Sequence, residues 1–303
     1  MMKKLLYLFL LGPFLAMAQT NVYNYGFSGT TADMTSAGWT QVNRSSPTGA
    51  STFLIPTAAN TAFVGGGYTG GNTSFVLVNY NSTTGAGTIS NWLFTPVITV
   101  QNGDVVSFYT RKGGDGTTTI YPDNLQFRMS TNGAFTNDPA TGATSLGDYT
   151  NLLVEVNPSL TDTDYPFTWT QYSYTISGLS GPTDVKFAFR YYVTNGGPSG
   201  ANSDIIGIDD FSVDRPAAST QDFFASNFSI QPNPVKDIFT LTAKNNTAIQ
   251  NVKVLDLNGR IVNEMNVSGA DNAQVNISDL NAGVYFVKVQ TENGVGTSKI
   301  IKK

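Results

Sequence analysis

The amino-acid sequence predicts an all-β protein, a jelly-roll β-sandwich followed by a small Ig-like β-sandwich. Charged residues make up only 13% of the 303 residues, and Glu, a strong helix former, occurs just three times. Short apolar runs recur between Gly, Asn and Pro turn signals, as they do in sandwiches and barrels. No segment places apolar residues at the i, i+3, i+4 and i+7 spacing of an amphipathic helix, so we expect little helix.

The strands of the first domain are predicted from apolar segments that follow a turn signal at residues 101–104. Residues 125–129 alternate apolar and polar side chains, which is the period of a half-buried strand. The other predicted strands are residues 105–109, 152–156, 172–176, 185–193 and 205–213. The aromatic residues Trp39, Trp92 and Trp169 lie within apolar patterns and are predicted to belong to the core.

Residues 216–227 are predicted to be a linker, because Pro, Ala and Ser dominate there and no period is visible. The first domain then spans residues 19–215 and the second spans residues 228–303. In the second domain, roughly seven short strands fit an Ig-like sandwich. The clearest of these strands are residues 238–241, 252–255 and 284–289.

The N-terminus has the three parts of a secretory signal peptide. Lys3 and Lys4 form the basic part, residues 5–15 the apolar part, and residues 16–18 a small-x-small cleavage site. Residues 1–18 are therefore predicted to be removed on export, so that the mature chain begins at Gln19. No later stretch approaches the roughly 20 apolar residues of a membrane helix, so no transmembrane segment is expected in the mature chain.

The residue types that are missing exclude several kinds of chemistry. The chain has no Cys and no His, so it cannot build a disulfide, a thiol nucleophile, a Ser-His-Asp triad or a typical transition-metal site. Before Phe228 there are nine basic and fifteen acidic residues, and this acidity argues against nucleic-acid binding. A glycosidase needs two flanking carboxylates, and Glu155, the one Glu before the linker, lies within a predicted strand. We therefore predict that the protein is not an enzyme.

The C-terminal residues carry an ordered set of motifs: Asn233-Pro234, Asn258-Gly259-Arg260, Ala282-Gly283-Val284-Tyr285 and a basic end. This order resembles the C-terminal sorting domain, type A, of the type IX (Por) secretion system of Bacteroidetes-type bacteria. The resemblance implies export through the periplasm by the type IX machinery, followed by release or attachment at the outer-membrane surface. The residues to which it assigns the sorting signal are Asn233, Pro234, Gly259, Gly283, Tyr285, Lys299, Lys302 and Lys303.

A second set of motifs runs through the first domain: Gly38-Trp39 and residues 91–96, 186–191 and 207–213. This order resembles the choice-of-anchor J, or cleaved-adhesin, domain, a jelly roll similar to the adhesin segments of gingipains. One departure concerns residues 25–28, Tyr-Gly-Phe-Ser, where family members usually carry acidic residues. The resemblance implies a role in binding or adhesion.

Asp209 and Asp210 are predicted to be metal ligands. The resemblance implies that acids at this position help to bind a structural calcium ion, which takes six to eight oxygen ligands. In the alternative interpretation, one carboxylate faces solvent while the other caps a turn or pairs with Arg190 or Lys186. Because neighbouring residues on a strand point to opposite faces, the two should not form a facing catalytic pair.

Two tyrosines outside the predicted strands are candidates for ligand binding. Tyr68 lies in a glycine-rich segment that would leave its ring accessible, and Tyr121 precedes Pro122 in a second loop. Flat aromatic rings can stack on the apolar faces of sugars, so we expect an exported protein that binds a glycan or a surface protein. The alternatives that stay open are an Asp-based, calcium-dependent hydrolase and a purely structural surface protein.

Overall fold

The structure is a computed structural model and describes residues 20–114, 119–216, 220–244, 247–292 and 294–303. The predicted signal peptide and its cleavage site lie outside the described residues. The chain divides into two compact units, Met1–Pro216 and Ala217–Lys303. No helix among the described residues is long and apolar enough to cross a membrane.

The described part of the first unit consists of antiparallel strands, one α-helix of six residues and two 3-10 helices, Tyr80–Ser82 and Gly133–Phe135. The elements are β1 (Thr20–Tyr25), α1 (Thr31–Ser36), β2 (Thr40–Asn43), β3 (Ser46–Thr48), β4 (Val76–Asn79), β5 (Thr83–Phe94), β6 (Ile98–Val100), β7 (Val105–Lys112), β8 (Leu125–Ser130), β9 (Asn151–Val156), β10 (Thr170–Thr175), β11 (Thr183–Gly196) and β12 (Ile205–Arg215). The six strands predicted after residue 104 are confirmed as β7 to β12, with ends that differ by a few residues.

These strands form two sheets. The first has the order β1-β12-β7-β10, with β4 paired to the beginning of β12. The second has the order β2-β5-β11-β8-β9, with β3 paired to β5 and β6 paired to β11. Because strands that follow one another in sequence, such as β7 and β8, lie in different sheets, the chain crosses repeatedly from one sheet to the other.

Aromatic side chains from both sheets fill the space between them. Phe108 on β7 lies 5.1 Å from Phe127 on β8, between ring centroids, and Phe211 on β12 lies 6.0 Å from Phe187 on β11. Burial of each such ring stabilises the fold by about 1.5–3 kcal/mol. The predicted sandwich is therefore confirmed for this unit.

The three tryptophans do not all have the predicted environment. Trp39 and Trp92 are fully buried, as expected. Trp169 is only half-buried, and it packs against Phe63 and Phe75 at the edge of the unit. Its indole N–H donates a hydrogen bond to a loop carbonyl, so this residue supports a loop as well as a core cluster.

The described residues of the second unit form one helix followed by seven strands. The elements are α2 (Thr220–Asn227), β13 (Phe228–Gln231), β14 (Ile238–Ala243), β15 (Ile249–Leu255), β16 (Ile261–Ala270), β17 (Asn272–Asn276), β18 (Gly283–Gln290) and β19 (Val295–Lys302). They form one sheet of order β13-β14-β17 and another of order β16-β15-β18-β19. The predicted small sandwich of about seven strands is confirmed.

Within the predicted linker, residues 220–227 form α2, and residues 217–219 lie outside the described residues. Phe224 on this helix is 5% exposed and belongs to the core of the second unit. Its ring centroid lies 5.4 Å from that of Phe228 on β13. Burial of this apolar side chain stabilises a short helix that the local composition alone did not indicate.

Candidate functional site

Asp209 and Asp210 lie at a β-bulge in β12. The pairing of β12 with β7 shifts between Asp209 and Ser212, and Asp210 has φ +46°, in the left-handed region. A bulge interrupts the strict alternation of side chains along a strand. The prediction that the two carboxylates point to opposite faces is therefore wrong, and both contact the same loop residue, Thr69.

The two carboxylates bind Thr69 through different atoms. The Thr69 backbone N–H donates to Oδ2 of Asp209 at 3.1 Å, and the Thr69 hydroxyl donates to Oδ1 of Asp210 at 2.9 Å. The backbone N–H of Asp210 donates to Oδ1 of Asp209 at 2.8 Å. Asp209 is fully buried, and burial raises the pKa of its carboxyl to about 7. Asp209 therefore anchors the loop from beneath and cannot contact a ligand in the solvent.

The glycine-rich loop at residues 65–71 is held closely against this anchor. A Cβ atom on Gly67 would lie 2.2 Å from the carbonyl oxygen of Ser74 and 2.9 Å from Oδ2 of Asp209, so only Gly fits there. On the other side of the loop, Nε1 of Trp169 donates to the carbonyl oxygen of Gly66 at 3.0 Å. Glycine here serves close packing of the backbone, which fixes the position of Tyr68.

Tyr68 lies over a groove on the outer face of the first sheet. Its ring stacks on Tyr109 of β7, with 3.6 Å between centroids and 13° between planes, and Tyr68 remains 45% exposed. The groove has a volume of about 360 Å³ and is called here the Tyr68 groove. Its lining includes Asn24, Tyr25, Tyr68, Tyr109, Gln171 and Asp210.

The structure brings one of the two candidate tyrosines together with the candidate acids and places the other elsewhere. Tyr68 and Asp210 line the Tyr68 groove, with Asp209 behind the loop. Tyr121 lines a different cleft of about 320 Å³, called here the Tyr121 cleft, together with Tyr80, Pro198 and Asp204. Any ligand that contacts Tyr121 therefore occupies a second site.

Four of the six groove residues named above were not predicted from the sequence, because each lies in or at the end of a strand: Asn24, Tyr25, Tyr109 and Gln171. The sequence does hold a signal for Tyr109. It follows Phe108, which is fully buried, so the alternation along β7 places Tyr109 on the outer face. Tyrosine on an outer sheet face is a feature that a binding surface would explain.

The side chains around Asp209 and Asp210 do not fit a calcium site. Backbone N–H groups face both oxygens of Asp209, and the positive end of an N–H group would repel a cation there. Nowhere in the described ranges do three or more acidic side chains gather in a way that could hold a metal ion. Ser28 also stands where the resembling family usually has acids. These observations argue against calcium binding at Asp209 and Asp210. The prediction itself is tested by the glycan-binding experiment in calcium and in chelator described below.

Replacement of Asp209 by Asn should change how the stability of the first unit depends on pH. Because burial raises the pKa of the Asp209 carboxyl to about 7 in the folded state, this carboxyl keeps its proton at pH values where the unfolded chain has already lost it. Stability then falls as pH rises from about 4 to about 7, with a slope that approaches 1.4 kcal/mol per pH unit. Asp209→Asn should remove this contribution, so its stability relative to wild type should increase with pH in that window.

Urea unfolding at several pH values measures the effect. Asp123 and Asp204, whose pKa values are also raised by burial, make the stability of both wild type and Asp209→Asn depend on pH. Only the difference in stability between these two proteins is therefore diagnostic of Asp209. A difference that stays constant between pH 4 and pH 7 would show that Asp209 is not protonated in the folded state.

In the second unit, Asn233 closes the free edge of the last strand. Its Nδ2 donates to the carbonyl oxygen of Lys299 at 3.0 Å, and the N–H of Ile301 donates to its Oδ1 at 3.1 Å. Val235 continues the pairing, because its N–H donates to the carbonyl oxygen of Ile301 and its own carbonyl oxygen accepts from the N–H of Lys303. The Asn233-Pro234 motif therefore secures β19 along the edge that β18 does not cover.

The basic residues at the C-terminus divide into exposed and buried ones. Lys299 and Lys303 are exposed, whereas Lys302 is 7% exposed and its Nζ lies 3.8 Å from a carboxylate oxygen of Asp237. Lys302 therefore contributes to the fold, so only the other two can present a charge to a partner.

The remaining motif residues occupy turns and strand ends. Gly259 has φ +78° in the turn between β15 and β16, a conformation that favours Gly. Gly283 begins β18, and the hydroxyl of Tyr285 donates to the carbonyl oxygen of Asn281 at 2.9 Å. That these residues are recognised during sorting stays a prediction.

Residues 229–303 match the family described as a secretion system C-terminal sorting domain. They are a type IX sorting domain. The sorting domain coincides with β13 to β19, and it implies that the type IX secretion machinery exports the chain and that the protein is attached at the surface or secreted. The predicted resemblance of this part of the chain is confirmed.

Solved structures similar to this chain include adhesin domains. The K3 cleaved adhesin domain of Lys-gingipain from Porphyromonas gingivalis is 15% identical with a TM-score of 0.40, over 64% of this chain and 99% of that chain. The adhesin domain of Epf from Streptococcus pyogenes is 10% identical with a TM-score of 0.36, over 93% of this chain and 97% of that chain. No curated protein matches the chain. Because both TM-scores are below 0.5, the role of the first unit must be inferred from its own residues.

Proposed function

We propose that the first unit is a carbohydrate-binding adhesion module that the sorting domain carries to the cell surface or the medium. The observation that carries this proposal is the exposed ring of Tyr68, stacked on Tyr109 beside a carboxylate and amides in one groove. One face of the Tyr68 ring lies against Tyr109, so the opposite face is available to the apolar face of a sugar. Stacked rings of this kind present a rigid apolar platform at a low entropic cost.

Polar groups beside this platform suit sugar hydroxyls. Oδ1 of Asp210 accepts from Thr69, while its Oδ2 accepts no hydrogen bond within the described residues and can accept one from a hydroxyl. Gln171 on β10 and Asn24 on β1 are exposed and provide amide donors and acceptors from the two edge strands of the sheet. A few convergent polar groups beside an apolar wall are the usual composition of a small-molecule site.

The charge of the groove selects among sugars. Neither Lys nor Arg belongs to its described lining, and Asp210 gives it negative charge. Acidic sugars would be repelled by this carboxylate, whereas neutral sugars and amino sugars would not. We therefore propose neutral or amino sugars as the ligand class.

The Tyr68 groove is preorganised for binding. Asp209 and Trp169 hold the loop from opposite sides, so Tyr68 needs little ordering when a ligand binds. Because Asp209 is buried beneath the loop, the two neighbouring acids cannot supply an acid and a base to one substrate. This arrangement supports binding and offers no support for hydrolysis.

A glycan array with the full-length mature chain tests this function, run once in calcium and once in chelator. We expect binding to neutral or amino-sugar glycans in both buffers. Tyr68→Ala should weaken binding by about 30-fold, which corresponds to ~2 kcal/mol for a central aromatic contact. The matched control is Tyr121→Ala, which removes another half-exposed loop tyrosine and should leave glycan binding unchanged.

The other outcomes of the array are equally informative. Binding that is lost only in chelator would restore the calcium prediction for Asp209 and Asp210. An absence of glycan binding in both buffers would contradict the proposal and favour a protein-binding or structural surface role. Equal losses in Tyr68→Ala and Tyr121→Ala would show that the Tyr68 groove is not the site.

A further inference from the structure

The Tyr121 cleft combines exposed aromatic rings with a carboxylate. Tyr80 is 37% exposed and Tyr121 is 41% exposed, and both line the cleft with Asp204 and Pro198. The rings of Tyr80 and Tyr121 make no contact with each other or with another aromatic ring in the described residues. The exposed part of each ring is thus available to a ligand that enters the volume of about 320 Å³.

The Asp204 carboxylate is partly exposed and has no hydrogen-bond or ion-pair partner among the described residues. The carboxyl is more than half-buried, and this burial, together with the nearby Asp123, raises its pKa. Lys112 offsets this charge only in part, because its Nζ donates to the carbonyl oxygen of Tyr121 at 2.8 Å and lies 3.4 Å from Oδ2 of Asp123.

The walls of the cleft are fixed by hydrogen bonds to buried groups. The N–H of Tyr80 donates to the carbonyl oxygen of Asp204 at 2.7 Å, and the N–H of Asp204 donates to Oδ1 of Asp123 at 2.8 Å. Lys112 holds the backbone of Tyr121 in the same way. The two rings and the carboxylate are therefore presented on a rigid support, as a preformed binding site requires.

We propose that the Tyr121 cleft binds an ammonium group, with Asp204 as its counter-ion and the rings of Tyr80 and Tyr121 as its walls. The electron-rich face of a tyrosine ring attracts a cation, and recognition of quaternary ammonium groups by aromatic cages relies on this attraction. The Asp204 carboxylate supplies the opposite charge in the wall of the same cleft. This site is separate from the Tyr68 groove and does not depend on the proposed function.

An ammonium group can come from choline or from a lysine side chain, and two pairs of probes separate these sources. Choline is compared with its uncharged isostere 3,3-dimethylbutan-1-ol, and Nα-acetyl-lysinamide is compared with its Nε-acetylated derivative. Saturation-transfer NMR with the full-length mature chain detects weak binding of each probe. We expect at least one cation to bind and its neutral counterpart to bind about tenfold more weakly or not at all.

Three variants in the cleft and one control variant in the Tyr68 groove assign the binding to the cleft. Asp204→Asn keeps the shape and backbone bonds of Asp204 and should weaken cation binding by about tenfold. Tyr121→Ala should weaken it similarly, whereas Tyr121→Phe should retain it because the ring is kept. Tyr68→Ala, in the other groove, should bind the cation like wild type.

The proposal is overturned if neither cation binds, if the neutral isosteres bind as well as the cations, or if Asp204→Asn binds like wild type. A stronger signal from choline would identify a quaternary ammonium ligand, and a stronger signal from the lysine derivative would identify a protein side chain. These outcomes are independent of the glycan array, so the two sites can fail separately.

Discussion

Lys112→Met should destabilise the first unit by about 3–5 kcal/mol at neutral pH, because it leaves a buried carboxylate without its counter-charge. Lys112 is 1% exposed and Asp123 is fully buried, and their charged atoms lie 3.4 Å apart. Met fills much of the same volume, so loss of packing contributes little. The cost arises from Asp123, whose charge no other cation in the described residues pairs.

The effect should depend on pH with a predictable sign. Burial already raises the pKa of Asp123, and removal of Lys112 raises it further. The folded variant then holds a proton that the unfolded chain has released, so its stability falls as pH rises above about 4. The deficit of Lys112→Met relative to wild type should accordingly be smaller at pH 5 than at pH 7.

The double variant Lys112→Met/Asp123→Asn is the matched control. Asn keeps an oxygen for the hydroxyl of Tyr191 and the N–H of Asp204 but carries no charge. At pH 7 this variant should be more stable than Lys112→Met alone. Urea unfolding followed by tryptophan fluorescence reports on this unit specifically, since all three tryptophans precede residue 217. A single variant within 1 kcal/mol of wild type at pH 7 would contradict the expected cost of an unpaired buried charge.

The sequence predicted the long apolar strands of the first unit and missed several others, among them β4 and β5. Residues 185–193 and 205–213 are rich in Ile, Val, Phe and Tyr, so β11 and β12 were evident. In β5, by contrast, Asn91 is fully buried, and its Nδ2 donates to the carbonyl oxygen of Ser51 and to the hydroxyl of Ser82. Hydrogen-bond partners this far away in sequence leave no local pattern, and a polar strand therefore resembles a loop.

The sequence indicated two residues of the candidate site but not the backbone geometry that brings them together. Tyr68 and Asp210 were identified as candidates, and the structure places them in one groove. The bulge that joins them depends on a left-handed Asp210, a conformation that a residue other than Gly adopts only when the surrounding structure stabilises it. The same tertiary origin explains the burial of Lys302, which the basic run at the C-terminus did not indicate.

A chain that ends at Pro216 should not be delivered to the surface, although its first unit should still fold. Export depends on the sorting domain, which such a chain lacks. The core of the first unit ends at Val213 and shares no residue with the core of the second unit, which begins at Phe224. Proteolysis of intact cells, together with fractionation, measures delivery, and tryptophan fluorescence of the retained chain measures folding. Unchanged surface delivery would show that the first unit carries its own export signal.

Asn233→Asp offers a finer test of the same domain. A carboxylate oxygen would face the carbonyl oxygen of Lys299 where Nδ2 now donates, so one hydrogen bond becomes a repulsion. The exposed position limits the expected cost to about 1–2 kcal/mol, so most molecules should stay folded. Exchange of the Ile301 amide hydrogen should accelerate, because repulsion at Lys299 displaces the side chain whose oxygen accepts from that N–H, while surface delivery should persist. If delivery is instead lost while the domain stays folded, the closed edge of β19 is itself a feature that the secretion machinery recognises.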